Sequence, residues 1–322
     1  MIDHSGCFRV PPDAARIRLD RYLSELFPEQ SRSQIQRWIR NGGVLVNGSP
    51  VKTGYMLRPG DAVALQAAAA SPEPQPQPEN IPLQVIYEDE DLAVIDKPAG
   101  LVCHAGAGVQ KGTLVNALLY HFGALETGDA LRPGIVHRLD KLTSGLLVVA
   151  KNLQAHRTLA RQFKNRQVRK EYLALVYGRP APLAGTIDLP LGRDPRDRKK
   201  ISVRARRRRV AVTHYCEEIG YGPFSLLRVR IETGRTHQIR VHLAQVGHPV
   251  VGDMLYGGNR SRNLADPLLR LAAGDLQRHF LHAQRLEFCH PRTGEKLSFT
   301  TLLPTELSAF LELVQETIGE HP

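Results

Sequence analysis

The stretch of this chain best equipped for chemistry is Gly134-Ile135-Val136-His137-Arg138-Leu139-Asp140-Lys141-Leu142-Thr143-Ser144-Gly145. It sets one carboxylate, Asp140, among basic and small polar side chains, immediately before the apolar run Leu146 to Ala150. That layout predicts a loop entering a buried strand, the kind of place where a rigid scaffold presents functional groups. Arg138 and Lys141 are near neighbours, and no other acid lies in the segment, so the surroundings favour the ionised carboxylate. Such a group is a candidate for catalysis; equally, an Asp in a basic loop can cap a turn or pair with an arginine. The Arg-Leu-Asp tripeptide does not choose between these, because Arg18-Leu19-Asp20 repeats it. There, Ile17, Leu19, Leu23 and Leu26 share a helical face, which predicts Asp20 on the solvated side of an amphipathic helix.

Other chemistries leave less trace. His237 and His242 are five residues apart, without the i, i+4 spacing of a zinc-binding helix, and His279, His282 and His290 form no ligand pattern. No catalytic metal is expected. The chain has neither a Gly-x-x-x-x-Gly-Lys-Ser/Thr loop nor a Gly-x-Gly-x-x-Gly turn opening a helix, so nucleotide-driven and redox reactions are not indicated. Gly-x-Ser-x-Gly, the commonest serine hydrolase arrangement, is absent too. Cys7, Cys103, Cys216 and Cys289 are scattered, which fits reduced thiols rather than a disulfide frame or zinc site.

The elements that must position Asp140 fall into two parts, as a length of 322 residues suggests. Alternating prolines across residues 68–80 rule out a helix or central strand and mark a linker between domains spanning 14–67 and 81–322. In the first domain, periodicity predicts a helix over Arg16 to Phe27 and a second one, capped by Ser31-Arg32-Ser33, with Ile35, Trp38 and Ile39 inward. Arg32, Arg37 and Arg40 fall on its other side. Gly42-Gly43 ends that helix, Val44 to Val46 makes a short strand, Asn47-Gly48 a turn, and Val63 to Leu65 a last strand. These arginines and Lys52 could contact an RNA backbone, or could simply be an exposed basic face. In the second domain, strands are expected at Leu92–Ile95, Gly145–Ala150, Tyr172–Val176, Val210–Tyr215, Ser225–Ile231 and Leu297–Thr301. Helices are expected at Thr113–Phe122, Gln154–Asn165, Thr236–Val246 and Thr305–Ile318. The mixture has no regular βα repeat, so the fold class is α+β with a mixed or antiparallel sheet.

Charge adds a partner. The formal net charge is +11, and residues 193–209 hold ten Lys or Arg against two Asp, a local net of +8. A polyanion, RNA or DNA, fits that excess, although such a run can also be a solvated loop. No stretch approaches the roughly 20 apolar residues that cross a bilayer, and the first ten lack the apolar core of a signal peptide. The expectation is a cytoplasmic protein, a monomer by default.

Residues 16–66, "RLDRYL…SRSQIQRWIRNGGVLVNG…PGDAV", resemble the αL RNA-binding motif shared by a small-subunit ribosomal protein and tyrosyl-tRNA synthetase. Residues 81–305 resemble the RluA family of pseudouridine synthases. His137-Arg138-Leu139-Asp140-x-x-Thr143-Ser144-Gly145 is similar to its central motif, Asp96-Lys97-Pro98-Ala99-Gly100-Leu101 to its first, and Arg169-Lys170-Glu171-Tyr172 to the segment carrying its aromatic residue. Thr233 to His242 is similar to its third motif, and Leu281 to Pro291 to its closing block. Within that family the chain most resembles the D-type enzymes of large-subunit ribosomal RNA. The resemblance implies the pseudouridine synthase fold and isomerisation of uridine to pseudouridine within RNA, with no cofactor. It implies Asp140 as the catalytic carboxylate, attacking C1′ or removing a sugar proton, Arg240 as its partner and Tyr172 as the ring stacked on the base. Arg138 would fill the gap left by the flipped base and Leu281 would wall the pocket; His137 and Thr143 join them as substrate-binding residues. Where relatives have a glycine-containing turn, this chain has Arg204-Ala205-Arg206-Arg207-Arg208-Arg209, which predicts an unusually basic hairpin. The alternative function is a non-catalytic RNA-binding factor in ribosome assembly. A glycoside hydrolase is disfavoured, because no second acid accompanies Asp140 in its motif.

Overall fold

The computed structural model describes residues 7–319 except 15, 29, 31, 67–74, 106–108, 110 and 198. The helix-capping expectation at Ser31 and most of the expected linker thus lie outside the described residues. The chain divides into two compact units, one holding the described residues up to 75 together with 128–131, the other 76–127 and 132 onward.

The first unit contains β1 (Cys7–Arg9), α1 (Leu19–Leu26), α2 (Arg32–Arg40), β2 (Val44–Val46), β3 (Ser49–Pro50) and β4 (Ala62–Leu65). Its four strands run in the order β1-β4-β2-β3, all antiparallel. Leu19, Leu23, Ile35, Ile39, Val44, Val46 and Val63 pack between helices and sheet. Asn47 and Gly48 both take positive φ, 52° and 76°, as a tight hairpin turn of right-handed twist requires. The unit begins at β1, earlier than the expected residue 14. Phe8 and Val10 enter its core, a contribution that three residues of strand are too short to announce as a periodic pattern.

Asp20 is the first unit's correction to the sequence reading. Its side chain is fully buried rather than solvated, and it accepts hydrogen bonds from Arg18 Nε at 2.9 Å, Arg32 Nη2 at 2.9 Å and Gln36. Burial opposes the charge, yet these donors outweigh it and hold the carboxyl well below the ordinary range. Helical periodicity correctly placed Leu19 and Leu23 inward, but could not show that α2 and Arg18 cover the polar face.

The second unit is built on a nine-stranded mixed sheet. Its strands are β5 (Gln84–Glu88), β6 (Leu92–Lys97), β7 (Ser144–Ala150), β8 (Arg169–Tyr177), β9 (Ala184–Asp188), β12 (Val212–Tyr221), β13 (Phe224–Ile231), β14 (Leu281–Cys289) and β15 (Lys296–Thr300). A separate ribbon pairs β10 (Gly192–Arg193) with β11 (Ile201–Ser202). The main order is β5-β6-β7-β14-β8-β13-β12-β9, with β15 beside the outer part of β14. One face carries the larger core, with α3 (Leu114–Phe122) and α7 (Thr305–Ile318) supplying Leu114, Leu118, Leu307, Phe310 and Val314. The other is covered by α4 (Leu153–Lys164) through Ala155 and Leu159. Side-chain caps begin α3 and α4: the Thr113 hydroxyl accepts from the Asn116 N–H, and Asn152 Oδ1 from the Ala155 N–H at 2.9 Å. Beyond the linker expectation, residues 77–79 are held: Asn116 Nδ2 donates to the Gln77 carbonyl at 2.7 Å.

β14 lies between β7 and β8, at the centre of the sheet. Its strand character is hidden in sequence because the ladder to β8 is irregular between His282 and Arg285, breaking strict alternation. Among the described pairings it forms a parallel one with β7, where Ala283 lies opposite Gly145. Gly145 has φ +112°, and a Cβ there would come within 2.3 Å of the Ala283 carbonyl oxygen. The last residue of the Asp140 motif is therefore a glycine for packing. Gly145→Ala is expected to cost about 3 kcal/mol or more through backbone strain and overlap. Chemical denaturation of the variant measures this, and an unchanged midpoint would contradict the close β7–β14 approach.

Candidate active site

Asp140 sits in the loop that feeds β7, and buried polar groups fix that loop from below. Lys97, at the end of β6, is fully buried and donates through Nζ to the carbonyls of Pro98 at 2.7 Å, Leu101 at 3.0 Å and Lys141 at 3.3 Å. Burial lowers its pKa to about 8. Leu139 is buried, its carbonyl accepting from Cys103 Sγ at 3.3 Å, and the Thr143 N–H closes a turn onto the Asp140 carbonyl at 3.1 Å. The Thr143 hydroxyl pairs with His279 Nε2 at 2.8 Å, and the Ser144 hydroxyl with His282 Nδ1 at 2.8 Å. Burial drops His279 to about 3 and His282 to about 4, so both are neutral members of this frame. His137 is similarly committed. Its Nε2 accepts the Val148 N–H at 3.0 Å, its ring stacks on Phe163 at 4.5 Å, and burial, helped by the Lys170 charge, lowers it to about 3.

Above this frame, Asp140 Oδ2 faces Arg240 Nη1 at 3.3 Å. Arg240 projects from α5 (Gln238–Gln245) and is itself gripped by Asp253, Nε to Oδ2 at 2.6 Å and Nη2 to Oδ1 at 2.8 Å. Asp253 Oδ1 also accepts the N–H groups of Leu255 and Tyr256. Burial works against both charges, but their mutual bonds prevail, raising the Arg240 pKa and lowering that of Asp253. The guanidinium lies 5.1 Å from the centroid of the Tyr256 ring. The Tyr256 hydroxyl accepts the Ile201 N–H at 2.9 Å and meets His237 Nδ1 at 2.7 Å. The other nitrogen of the His237 ring, Nε2, points toward the carboxylate and faces Asp140 Oδ2 at 3.9 Å. His237, at the N-terminus of α5, takes a left-handed φ of 54° to achieve this aim.

These groups border a cavity of about 470 Å3, ample for a nucleoside. Asp140, Arg240, Tyr172, Leu281, Arg138, His137 and Thr143 all line it, although they come from four separate stretches of chain. Tyr172 and Leu281 are buried walls, and burial followed by the Asp140 charge pushes the Tyr172 phenol up, keeping it protonated. Arg138 is exposed at the rim. Lys164, Arg166, Lys170 and Arg235 also contribute to the lining, which thus holds six cations and two acids, Asp140 and Glu232. Sequence reasoning had no signal for Asp253 or Tyr256, which belong to no motif, and it assigned no role to Lys97 or Lys170.

The four cations expected to bind RNA in the first unit are differently placed. Arg32 is bonded to Asp20, and Arg37 Nη2 lies 4.0 Å from Asp129. Arg40 and Lys52 are exposed. Asp89, Asp91 and His290 cluster closely enough to hold an ion, but their atoms are already used. Asp89 accepts from Tyr87 and His290, Asp91 from Arg292 and Asn152, and His290 Nδ1 from two backbone N–H groups.

Comparison with known proteins gives the same two-part division. Residues 91–245 match the family model for RNA pseudouridylate synthases, and residues 17–63 match the S4 domain. A "ribosomal large subunit pseudouridine synthase D" of Xanthomonas campestris is 45% identical over 95% of this chain and 92% of its own length. The protein of the same name from Pseudomonas aeruginosa is 42% identical, covering 95% of each. Among solved structures, human RNA pseudouridylate synthase domain containing 1 superposes with a TM-score of 0.56 at 29% identity, over 76% of this chain and 90% of that one.

The neutral histidines carry a pH signature. Unfolded histidine titrates near 6.5, so below that pH the unfolded chain binds protons that His137, His279 and His282 refuse until about pH 3 to 4. Stability must then fall as pH drops from about 6.5, each histidine contributing up to about 1.4 kcal/mol per pH unit. Urea denaturation between pH 7 and pH 4.5 reads the slope. Titration of His279 or His282 near its ordinary value by NMR would refute the assignment.

Proposed function

This chain belongs to the RNA pseudouridylate synthase family, and on that premise we propose that the Asp140 cavity is where a uridine of RNA becomes pseudouridine. It is an RNA pseudouridine synthase; the family fixes the reaction, and geometry supports the assignment of the site. In the isomerisation the N1–C1′ bond breaks, the base turns, and C5 bonds to C1′. The C5 hydrogen leaves as a proton and N1 gains one. Composition is conserved, so neither electrons nor a donated group are consumed.

The observation that carries the assignment is one carboxylate, Asp140, held by Arg240 at the edge of a cavity walled by Tyr172 and Leu281. Asp140 acts at the ribose. Tyr172 offers a ring for the uracil to stack on, and Leu281 an apolar wall against which a detached base can turn without being fixed by hydrogen bonds. A stacked base must first be extruded at a cost of a few kcal/mol, and Arg138 at the rim fills the space it leaves. Arg240 aims Asp140, and Asp253 aims Arg240. The substrate is large-subunit ribosomal RNA, supported by the names of the relatives that match the whole chain and by an S4 domain with Arg40 and Lys52 exposed. The protein acts on it as a monomer in the cytoplasm.

Asp140→Asn should abolish tritium release from C5-labelled uridine RNA, by roughly a thousandfold or more, while RNA binding persists. Carbodiimide mapping of ribosomal RNA from cells carrying only this variant should show the missing pseudouridine. Full activity in the variant would sink the assignment. Asp253→Asn is expected to lower the single-turnover rate at least about tenfold and to lose about 3 kcal/mol of stability, because it breaks a buried ion pair. A wild-type rate in that variant would show that Arg240 needs no clamp.

A further inference from the structure

One buried ammonium in the cavity wall pairs with no acid among the described residues. Lys170 precedes Tyr172 by two residues on β8, so both side chains leave the same face of the strand, and both line the cavity. Lys170 is nine-tenths buried. Among the described residues its Nζ makes no hydrogen bond or ion pair; it faces the Phe163 ring, 5.6 Å from the centroid. A cation over a ring recovers less than removal of an ion from water costs. Burial, opposed by no neighbouring acid, brings this ammonium down to about 8. His137, stacked on the same Phe163 ring, is neutral and supplies no counter-charge. Glu171 points to the opposite face and bonds Arg169. Of the site's two aspartates, Asp253 is spent on Arg240, and Asp140 has Arg240 as its near cation. Lys97 makes the contrast: fully buried, it donates to three carbonyls.

A cation kept this way without an anion lowers the stability of the free protein, so its counter-charge must arrive with the substrate. Uracil is neutral, whereas RNA carries one negative charge at every phosphate. We propose that Lys170 binds a backbone phosphate of the RNA, adjacent to the uridine whose base Tyr172 receives. The inference rests on the reading of the Asp140 cavity as the uridine site.

Lys170→Met and Lys170→Arg in the full chain test it through thermal unfolding, tritium release and RNA affinity between about 50 and 200 mM salt. Lys170→Met should melt at or above the wild-type temperature, because an uncompensated buried charge is gone. Its KM should rise about tenfold, with kcat at saturating RNA nearly unchanged. The slope of log affinity against log salt should become shallower by about 0.7–0.9, one phosphate contact. Lys170→Arg, which keeps the charge, should restore KM and slope. A Lys170→Met protein that melts lower, or keeps the wild-type KM and salt slope, would overturn the proposal. Wild-type protein that releases no tritium would instead count against the site reading, while salt-dependent RNA binding would still judge Lys170.

Discussion

A single buried guanidinium shared unequally between two carboxylates determines how this site is arranged. Asp253 takes Nε and Nη2 of Arg240 at 2.6 and 2.8 Å, leaving Nη1 for Asp140 at 3.3 Å. Breaking such a pair from either side leaves an uncompensated buried charge, so the two partners are strongly interdependent. The asymmetry has a purpose for chemistry. A carboxylate gripped on both oxygens has its lone pairs engaged, whereas Asp140 is steered through Oδ2, and among the described residues Oδ1 accepts no hydrogen bond. The strong clamp therefore lies one residue away from Asp140.

The scaffold beneath obeys the same logic. β7, β14 and β8 are neighbours in the sheet, and they bring the Asp140 loop, Leu281 and Tyr172 to one cavity. Their approach is close enough that only a glycine fits at position 145. Lys97 and neutral His279 tie the loop's carbonyls and hydroxyls, converting an irregular segment into one with few degrees of freedom. Burying polar groups is costly when they are unpaired; here the Lys97–Lys141 and His279–Thr143 bonds land on the loop that carries Asp140, and the other two Lys97 bonds hold Pro98 and Leu101 beside it.

Much of this was legible in the sequence, for identifiable reasons. The apolar run Leu146–Ala150 and the helix at Thr305–Ile318 are long and patterned, and the Asn47-Gly48 turn needs backbone angles that few residues adopt. Asp140, Tyr172 and Arg240 could be named because each stands in a motif block. Asp253 could not, since it follows a turn in an unpatterned stretch and gains its meaning only when α5 packs above it. β14 was invisible because its bulge disrupts alternation, and Asp20 was misplaced because periodicity describes one helix and not what covers it. What sequence withholds is which polar groups meet across elements.

That limit falls on the charges with most consequence. Counting residues gives a strongly cationic chain but cannot separate cations already answered from those awaiting a partner. Arg32 is answered by Asp20, Arg166 by Glu232 and Arg240 by two acids. Exposed Arg138 and Lys164 remain in water, where waiting costs little and binding is screened by salt. Lys170 is buried and waits in a low-dielectric wall, where the same unit charge acts more strongly on an incoming anion. A polyanion drawn in by the exposed cations would find its register set by the buried one, since only a phosphate at that depth relieves the cost of desolvation.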